Sequence, residues 1–161
     1  MCTPGMAGPV LMTLPPPRDA ATRKADALSM LATPAIDVWV ATGSHSTPHL
    51  VPVSLAWVEE RAVIAVEASS PTARNLAASG VARLAVGPTR DVVMIDADLE
   101  RTVDVSTDAA LGERYVAQAD WDPRDSAGYL FLVLRPGRVQ AWREANEIRG
   151  RTLMRDGSWL V

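Results

Sequence analysis

Hydrophobic residues in this chain recur at two spacings, which divide it into short strands with a few helices between them. In Pro48 to Val58, the residues Val51, Val53, Leu55 and Trp57 share one face, the period of a half-buried strand. Ile36 to Thr42, β-branched around Trp39, predicts the strand before it, with Gly43-Ser44-His45-Ser46 as the loop between. Ala62 to Ala68 is an unbroken apolar run reached through the tight connection Glu59-Glu60-Arg61, and Val81 to Val86 is a further strand closed by Gly87-Pro88. Arg90 to Val105 alternates over a longer span, with Ile95, Ala97 and Leu99 on one face and Asp96, Asp98 and Glu100 on the other. Tyr129 to Leu134 predicts a continuous strand, Pro136-Gly137 a turn and Arg138 to Trp142 its antiparallel partner, and Asp156-Gly157 marks a last hairpin within Thr152 to Val161.

Three stretches have helical character. Asp19 to Leu31 carries Leu28 and Leu31 on one face before Pro34 stops it, and Asp108 to Ala119 carries Leu111 and Tyr115 four apart. Between them lies a shorter helix with its ends spelled out: Ser70 to cap it, Pro71 for its first turn and Gly80 to end it. Short strands joined mostly by hairpins, with two or three short helices and no long helix alternating with strands, imply a mainly β fold, an antiparallel barrel with helical trimmings. Residues 1–18 hold Pro4, Pro9, Pro15, Pro16 and Pro17 without periodicity and predict a flexible leader ahead of one domain over 19–161.

Composition narrows the function. At 48% hydrophobic, the chain has material for a sizeable core. Cys2 is the only cysteine, so no intramolecular disulfide and no cysteine-based metal site is expected, and a cytoplasmic setting is the simple inference. The longest uncharged run, Val38 to Val58, is too polar and interrupted for a membrane span, and the opening residues lack the pattern of a signal peptide. A net charge of −3 argues against nucleic acid as a partner. Charge is nevertheless uneven: Arg135 to Arg155 contains six arginines against two glutamates, a basic arm suited to an anionic ligand, to the acidic segment of a partner subunit, or to a solvated rim.

Chemistry concentrates where the apolar run Ala62 to Ala68 feeds the Ser70-capped helix. A helix N-terminus offers free N–H groups and the positive end of its dipole, and Ser69, Ser70, Thr72 and Arg74 surround it with further donors to an anion. The alternative is an ordinary capped turn that binds nothing. Pro52 cannot donate to a β ladder, so its strand is expected at an edge, bulged, or opened toward a planar ligand lying along Val51 to Ser54. The bases with pKa near neutrality are His45 and His49, and neither sits in a nucleophile motif; GxSxG, HExxH and Walker-type loops are absent. Asp96, Asp98 and Glu100 are too widely spaced along a strand for a metal site, and no metal is expected. An enzyme with this inventory would take its chemistry from a cofactor.

Taken in order, PHLVPVSLAW, SSPTARNLAASGVARLAVG, RDVVMIDADLE and RVQAWREANEIRGR resemble the pyridoxamine 5′-phosphate oxidase-like split-barrel family, over roughly Leu28 to the C-terminus. The resemblance implies a homodimer that holds FMN, or in many members the deazaflavin coenzyme F-420, in the groove between its chains. It implies an oxidoreductase acting on a small conjugated substrate, or alternatively a non-catalytic flavin or haem carrier or sensor. It further implies that Val51, Pro52, Val53 and Ser54 lie along the ring system and that Ser69, Ser70, Thr72, Arg74 and Asn75 hold the phosphate. Arg90 and Asp91, on the next long strand, and Trp142 would approach from the partner, while His49, Arg149 and Arg151 would face the substrate. Pro71 and Thr72 stand where true pyridoxamine phosphate oxidases carry a basic pair, and the segment after Trp142 lacks their histidine, which argues against vitamin B6 oxidation itself. Fifteen of the sixteen basic residues are arginine, a composition of GC-rich coding that favours F-420, but FMN stands first.

Overall fold

The strand β7 (Tyr129–Trp142) has neighbours along both edges and is the spine of the sheet. The computed structural model describes residues 13–45 and 47–161; most of the expected leader, Cys2 and Ser46 lie outside them. Around β7 stand β1 (Asp37–Ser44), β2 (Thr47–Ser54), β3 (Ala56–Val58), β4 (Arg61–Glu67), β5 (Val81–Val86), β6 (Val92–Asp104), β8 (Thr152–Arg155) and β9 (Ser158–Trp159). All pairings are antiparallel, in the order β2-β1-β5-β6-β7-β4-β3, with β8 and β9 continuing beside the second half of β7. The sheet curls until β2 approaches β4, but the two do not pair, so the barrel is open along one seam.

Burial explains the two hydrophobic patterns. β1 and β5 are covered on one face only, hence the alternation of Val38 and Val40, or Ala82, Leu84 and Val86, with exposed or half-buried neighbours. β4 and the first half of β7 are covered on both faces: Ala62, Ile64, Val66, Leu132 and Leu134 join the barrel interior, while Val63, Ala65, Phe131 and Val133 pack under α3 (Ala109–Ala119). These two strands are the continuous apolar runs of the sequence. Asp108 caps α3 by accepting from Leu111 N (2.9 Å), and Leu111 and Tyr115 point at the sheet. In α1 (Ala20–Leu31), capped by Asp19, the buried face is Arg23, Ala27 and Leu31 rather than Leu28 with Leu31.

Other differences from the sequence reading are local. Pro136-Gly137 is not a turn. β7 runs straight through it because β6 pairs along its whole length, and the register steps from Asp96↔Arg138 to Ala97↔Pro136, leaving Gly137 as a bulge residue. Its carbonyl is taken by Gly157 N (2.9 Å) from the β8–β9 turn. The strand expected over Pro48 to Val58 breaks at Leu55, whose side chain is buried and whose N–H donates to Ile36 O (3.0 Å). β1 continues through Gly43 and Ser44, and the chain turns at His45 with φ 54°. Arg90 and Asp91 are not on the long strand but in the turn that precedes it. Of the expected flexible stretch, Pro15 and Arg18 are tied to the domain by Asn146 Nδ2–H···O (2.7 Å) and by ion pairs described below.

Candidate active site at the barrel seam

Where β2 approaches β4, the open seam leaves a cavity of about 410 Å³. Its floor is Val51, Val53, Ala65 and Val66, its polar end is His49, Ser70 and Thr72 with the acidic Glu67 beside them, and its far wall is Trp121 with Tyr129. β2 sits at the edge of the sheet, as Pro52 requires, with only β1 beside it; Pro52 faces Trp39 in that ladder and its side chain is exposed on the opposite face from the cavity.

The polar end is the N-terminus of α2 (Pro71–Ser79), ended by Gly80 in the left-handed conformation at φ 72°. Ser70 Oγ accepts from Ala73 N (3.2 Å), and Arg74 N donates to Ser70 O (3.1 Å). Pro71 has no N–H, so in this first turn Thr72 N and the Ser70 hydroxyl proton remain to be offered to a ligand. Thr72 is buried, and its Oγ1 shares a hydrogen bond with His49 Nε2 (3.2 Å), joining β2 to α2 across the cavity mouth. Arg74 is exposed and donates to the Ser69 carbonyl. Asn75 points the other way: it is buried, and its Nδ2 donates to Thr42 Oγ1 (3.1 Å) on β1.

Arg90, Asp91, Trp142, Arg149 and Arg151 are not brought to this cavity. Tyr129 lines it, and Trp142 ends the same strand thirteen residues later, on the order of 40 Å of extended chain away. At that end most of the charges are occupied with one another, while Arg149 and Arg151 have no ion pair among the described residues. Arg18 binds Glu147 (2.7 Å) and Asp26 (2.7 Å), Arg143 binds Asp91 (2.9 Å), and Arg90 binds Glu144 (2.6 Å). Glu147, with a side chain 4% exposed, also accepts from the backbone N–H of Arg18 (2.9 Å) and Arg143 (2.8 Å). These bonds hold its carboxyl well below the usual range, at about 2, and the same contact raises the Arg18 guanidinium. Arg151 lies over the Trp142 ring, 5.3 Å from its centroid.

No protein-family model and no curated protein matches this sequence. Solved structures do. An F-420 reductase aligns at 21% identity over 69% of this chain and 93% of its own, with a TM-score of 0.59. A pyridoxamine 5′-phosphate oxidase-like protein of Listeria innocua aligns at 12% identity over 75% and 98%, TM-score 0.59. The chain has the split-barrel fold of the pyridoxamine 5′-phosphate oxidase-like proteins. A haem binding protein of Mycobacterium smegmatis carries the same fold at 21% identity over 90% of this chain, which spans 60% of that one, TM-score 0.62.

In this split barrel, six cavity residues were not anticipated as site residues: Ala65, Val66 and Glu67 at the end of β4, Pro71, and the aromatic pair Trp121 and Tyr129. Trp121 comes from the loop after α3 and Tyr129 from the start of β7, packed edge to face with centroids 5.7 Å apart. Trp121 Nε1–H donates to Tyr115 Oη (3.2 Å), and the Tyr115 hydroxyl reaches the Ser54 carbonyl (3.4 Å) at the end of β2. A buried tyrosine thereby sets the aromatic wall relative to the floor. Burial pushes the Tyr115 hydroxyl up to about 12. The one sequence cue was the aromatic pair flanking the proline-containing loop Asp122 to Gly128.

Proposed function

We propose that this chain is a flavin- or deazaflavin-dependent oxidoreductase, binding FMN first and coenzyme F-420 as the alternative, in a cytoplasmic homodimer that acts on a small conjugated substrate. The observation that carries this reading is the polarity of the seam cavity: unspent donors at one end, an apolar floor, and an aromatic wall at the other. A ligand with an anionic tail and a flat ring system matches that order of groups, and the cavity lies within the ordinary size range of cofactor sites. The fold shared with an F-420 reductase gives independent support.

Ser70 and Thr72 would hold the phosphate through the Ser70 hydroxyl and the Thr72 N–H, with Arg74 turning in from the exposed side. Val51 and Val53 would support one face of the ring and exclude water from it, and His49 would stand between phosphate and ring, fixed by Thr72. The bound coenzyme would supply hydride transfer, which no side chain of the cavity can perform. Arg90, Asp91 and Trp142 could serve this cavity only from a second chain, with Arg149 and Arg151 beside them near an anionic substrate.

A second reading is a carrier or sensor without turnover, favoured by the fold shared with a haem binding protein and by a cavity whose only histidine is His49. Titrating the purified protein with FMN, F-420 and haem, followed by mixing the reduced holoprotein with quinone and enone acceptors, separates the two. Turnover supports the oxidoreductase, binding without reoxidation supports the carrier, and binding of none of the three rejects both.

A further inference from the structure

Among the described residues that line the seam cavity, Glu67 alone carries a formal charge, and it has the sign that repels an anion. Its place is set by the backbone. Glu67 ends β4 opposite Tyr129 in the ladder with β7; one step further Ala68 N donates to Gly128 O (2.9 Å), and Ser70 N donates to Glu67 O (3.0 Å). Directly opposed residues of an antiparallel ladder share a face with Cβ atoms about 5 Å apart, so the carboxylate leaves the sheet beside the phenol ring. Among the described residues it has no hydrogen bond and no ion pair, and no arginine or lysine lines the cavity to meet it.

The aromatic wall next to it has a matching character. Trp121 and Tyr129 meet with centroids 5.7 Å apart, and the one donor of the indole, Nε1–H, is spent on Tyr115 Oη (3.2 Å). What Trp121 has left for a ligand is π surface, whose negative face attracts a cation. The loop that supplies it is acidic as well: Asp120, Asp122 and Asp125 stand against Arg124, and Arg124 is taken by Asp122 (2.6 Å). Carboxylate, rings and loop together make the field at this end of the cavity negative.

We propose that Glu67, Tyr129 and Trp121 form a subsite for an organic cation, a positively charged nitrogen carried on a small apolar or conjugated body. This deepens the functional reading above and rests on it for the claim that the cation is the substrate. Glu67 pairs with the charge, the two rings enclose the groups attached to the nitrogen, and Val51 and Val53 cover the apolar body. The cavity is thereby divided by charge, with donors for an anion at the start of α2 and an acceptor for a cation at the end of β4. A metal ion does not suit the same place. Among the described residues no three His, Cys, Asp or Glu side chains gather to hold one, and a hard cation takes about six oxygen ligands where this corner has one carboxylate between aromatic rings.

Calorimetric titration of the full chain at neutral pH, without coenzyme, tests the subsite with choline and with dimethylbutanol, its uncharged carbon analogue. The wild type is expected to bind choline about ten-fold more tightly than the alcohol, from one ion pair and the aromatic faces. Glu67→Gln lies at an exposed position and loses no described bond, so it should match the wild type in circular dichroism while binding the two probes alike; Glu67→Asp, which keeps the charge, should keep the preference. A wild type that binds both probes equally, or neither, would overturn the subsite, and so would a Glu67→Gln protein that still prefers choline. FMN and F-420 titrated in parallel separate this from the functional reading. A choline preference lost in Glu67→Gln, with neither coenzyme bound, leaves the subsite standing and removes the oxidoreductase, whereas FMN binding by a protein indifferent to choline does the reverse.

Discussion

The two ends of β7 differ in what their polar groups have left to give. At the Trp142 end, Arg18, Arg90, Arg143, Asp26, Asp91, Glu144 and Glu147 are matched to one another, several with short bonds, and one carboxylate is almost fully enclosed. At the Tyr129 end no ion pair lies in the cavity lining; a hydroxyl, one helix N–H, an imidazole and the Glu67 carboxylate face an apolar floor and an aromatic wall. Matched charge stabilises a fold, and unmatched donors beside apolar surface await a ligand. Within the arginine-rich stretch itself, Arg135, Arg138 and Arg143 are matched to acids, whereas Arg149, Arg151 and Arg155 have no ion pair among the described residues.

That contrast breaks first if Glu147 is not a structural residue. Glu147→Gln leaves Arg18 without its enclosed partner and is expected to cost about 3–5 kcal/mol of stability by urea titration. The pH dependence has a defined sign. A carboxyl held at about 2 in the fold and near 4.5 when unfolded contributes stability that is complete above roughly pH 5 and is lost as pH falls from there toward 2. The variant should flatten that acid limb; an unchanged slope would mean that the clasp is not where acid acts.

The cavity end carries the opposite pH signature. Tyr115 is fully buried, with its hydroxyl at about 12 against an ordinary 10, so its contribution is complete below pH 10 and is lost as pH rises from 10 to 12, on the order of 2–3 kcal/mol. Tyr115→Phe should remove that alkaline limb when urea midpoints are compared at pH 9 and 11, and an alkaline limb that persists would assign it to another group. Arg74→Ala should weaken coenzyme binding by about 1.5–3 kcal/mol with little change in melting temperature, because the guanidinium is exposed and, among the described residues, bonded only to a neighbouring carbonyl. Equal affinity in the two proteins would move the phosphate away from α2. The smallest effect is Ser70→Ala, which should cost about 1 kcal/mol of stability from the lost cap, read as a lower melting temperature without ligand.

Most of the fold was legible because its signals are local. The Ser70 cap, the helix starts at Asp19 and Asp108, the Asp156-Gly157 hairpin and the distinction between alternating and continuous strands all follow from short-range chemistry. Pro136-Gly137 misled because the same dipeptide suits a turn and a bulge, and only the distant β6 decides between them. Of the cavity lining, Ser70 and Thr72 are legible in the strand–helix junction and Val51 and Val53 in the alternation of β2. Helical period could not separate Asn75 from Thr72, since both are on the buried side of α2; what takes Asn75 from the cavity is its bond to Thr42 on the distant β1. Trp121 and Tyr129 were not accessible in this way: they reach the floor through Tyr115 and Ser54, a contact spanning sixty-one residues.

Hydrogen exchange measured by mass spectrometry, with and without FMN, tests most directly which region binds. Slower exchange is expected in β2, in the segment from the end of β4 into α2, and in the loop from Trp121 to Tyr129. Protection confined instead to the arginine-lined cleft of β5, β7 and β8, with the seam unchanged, would contradict the account.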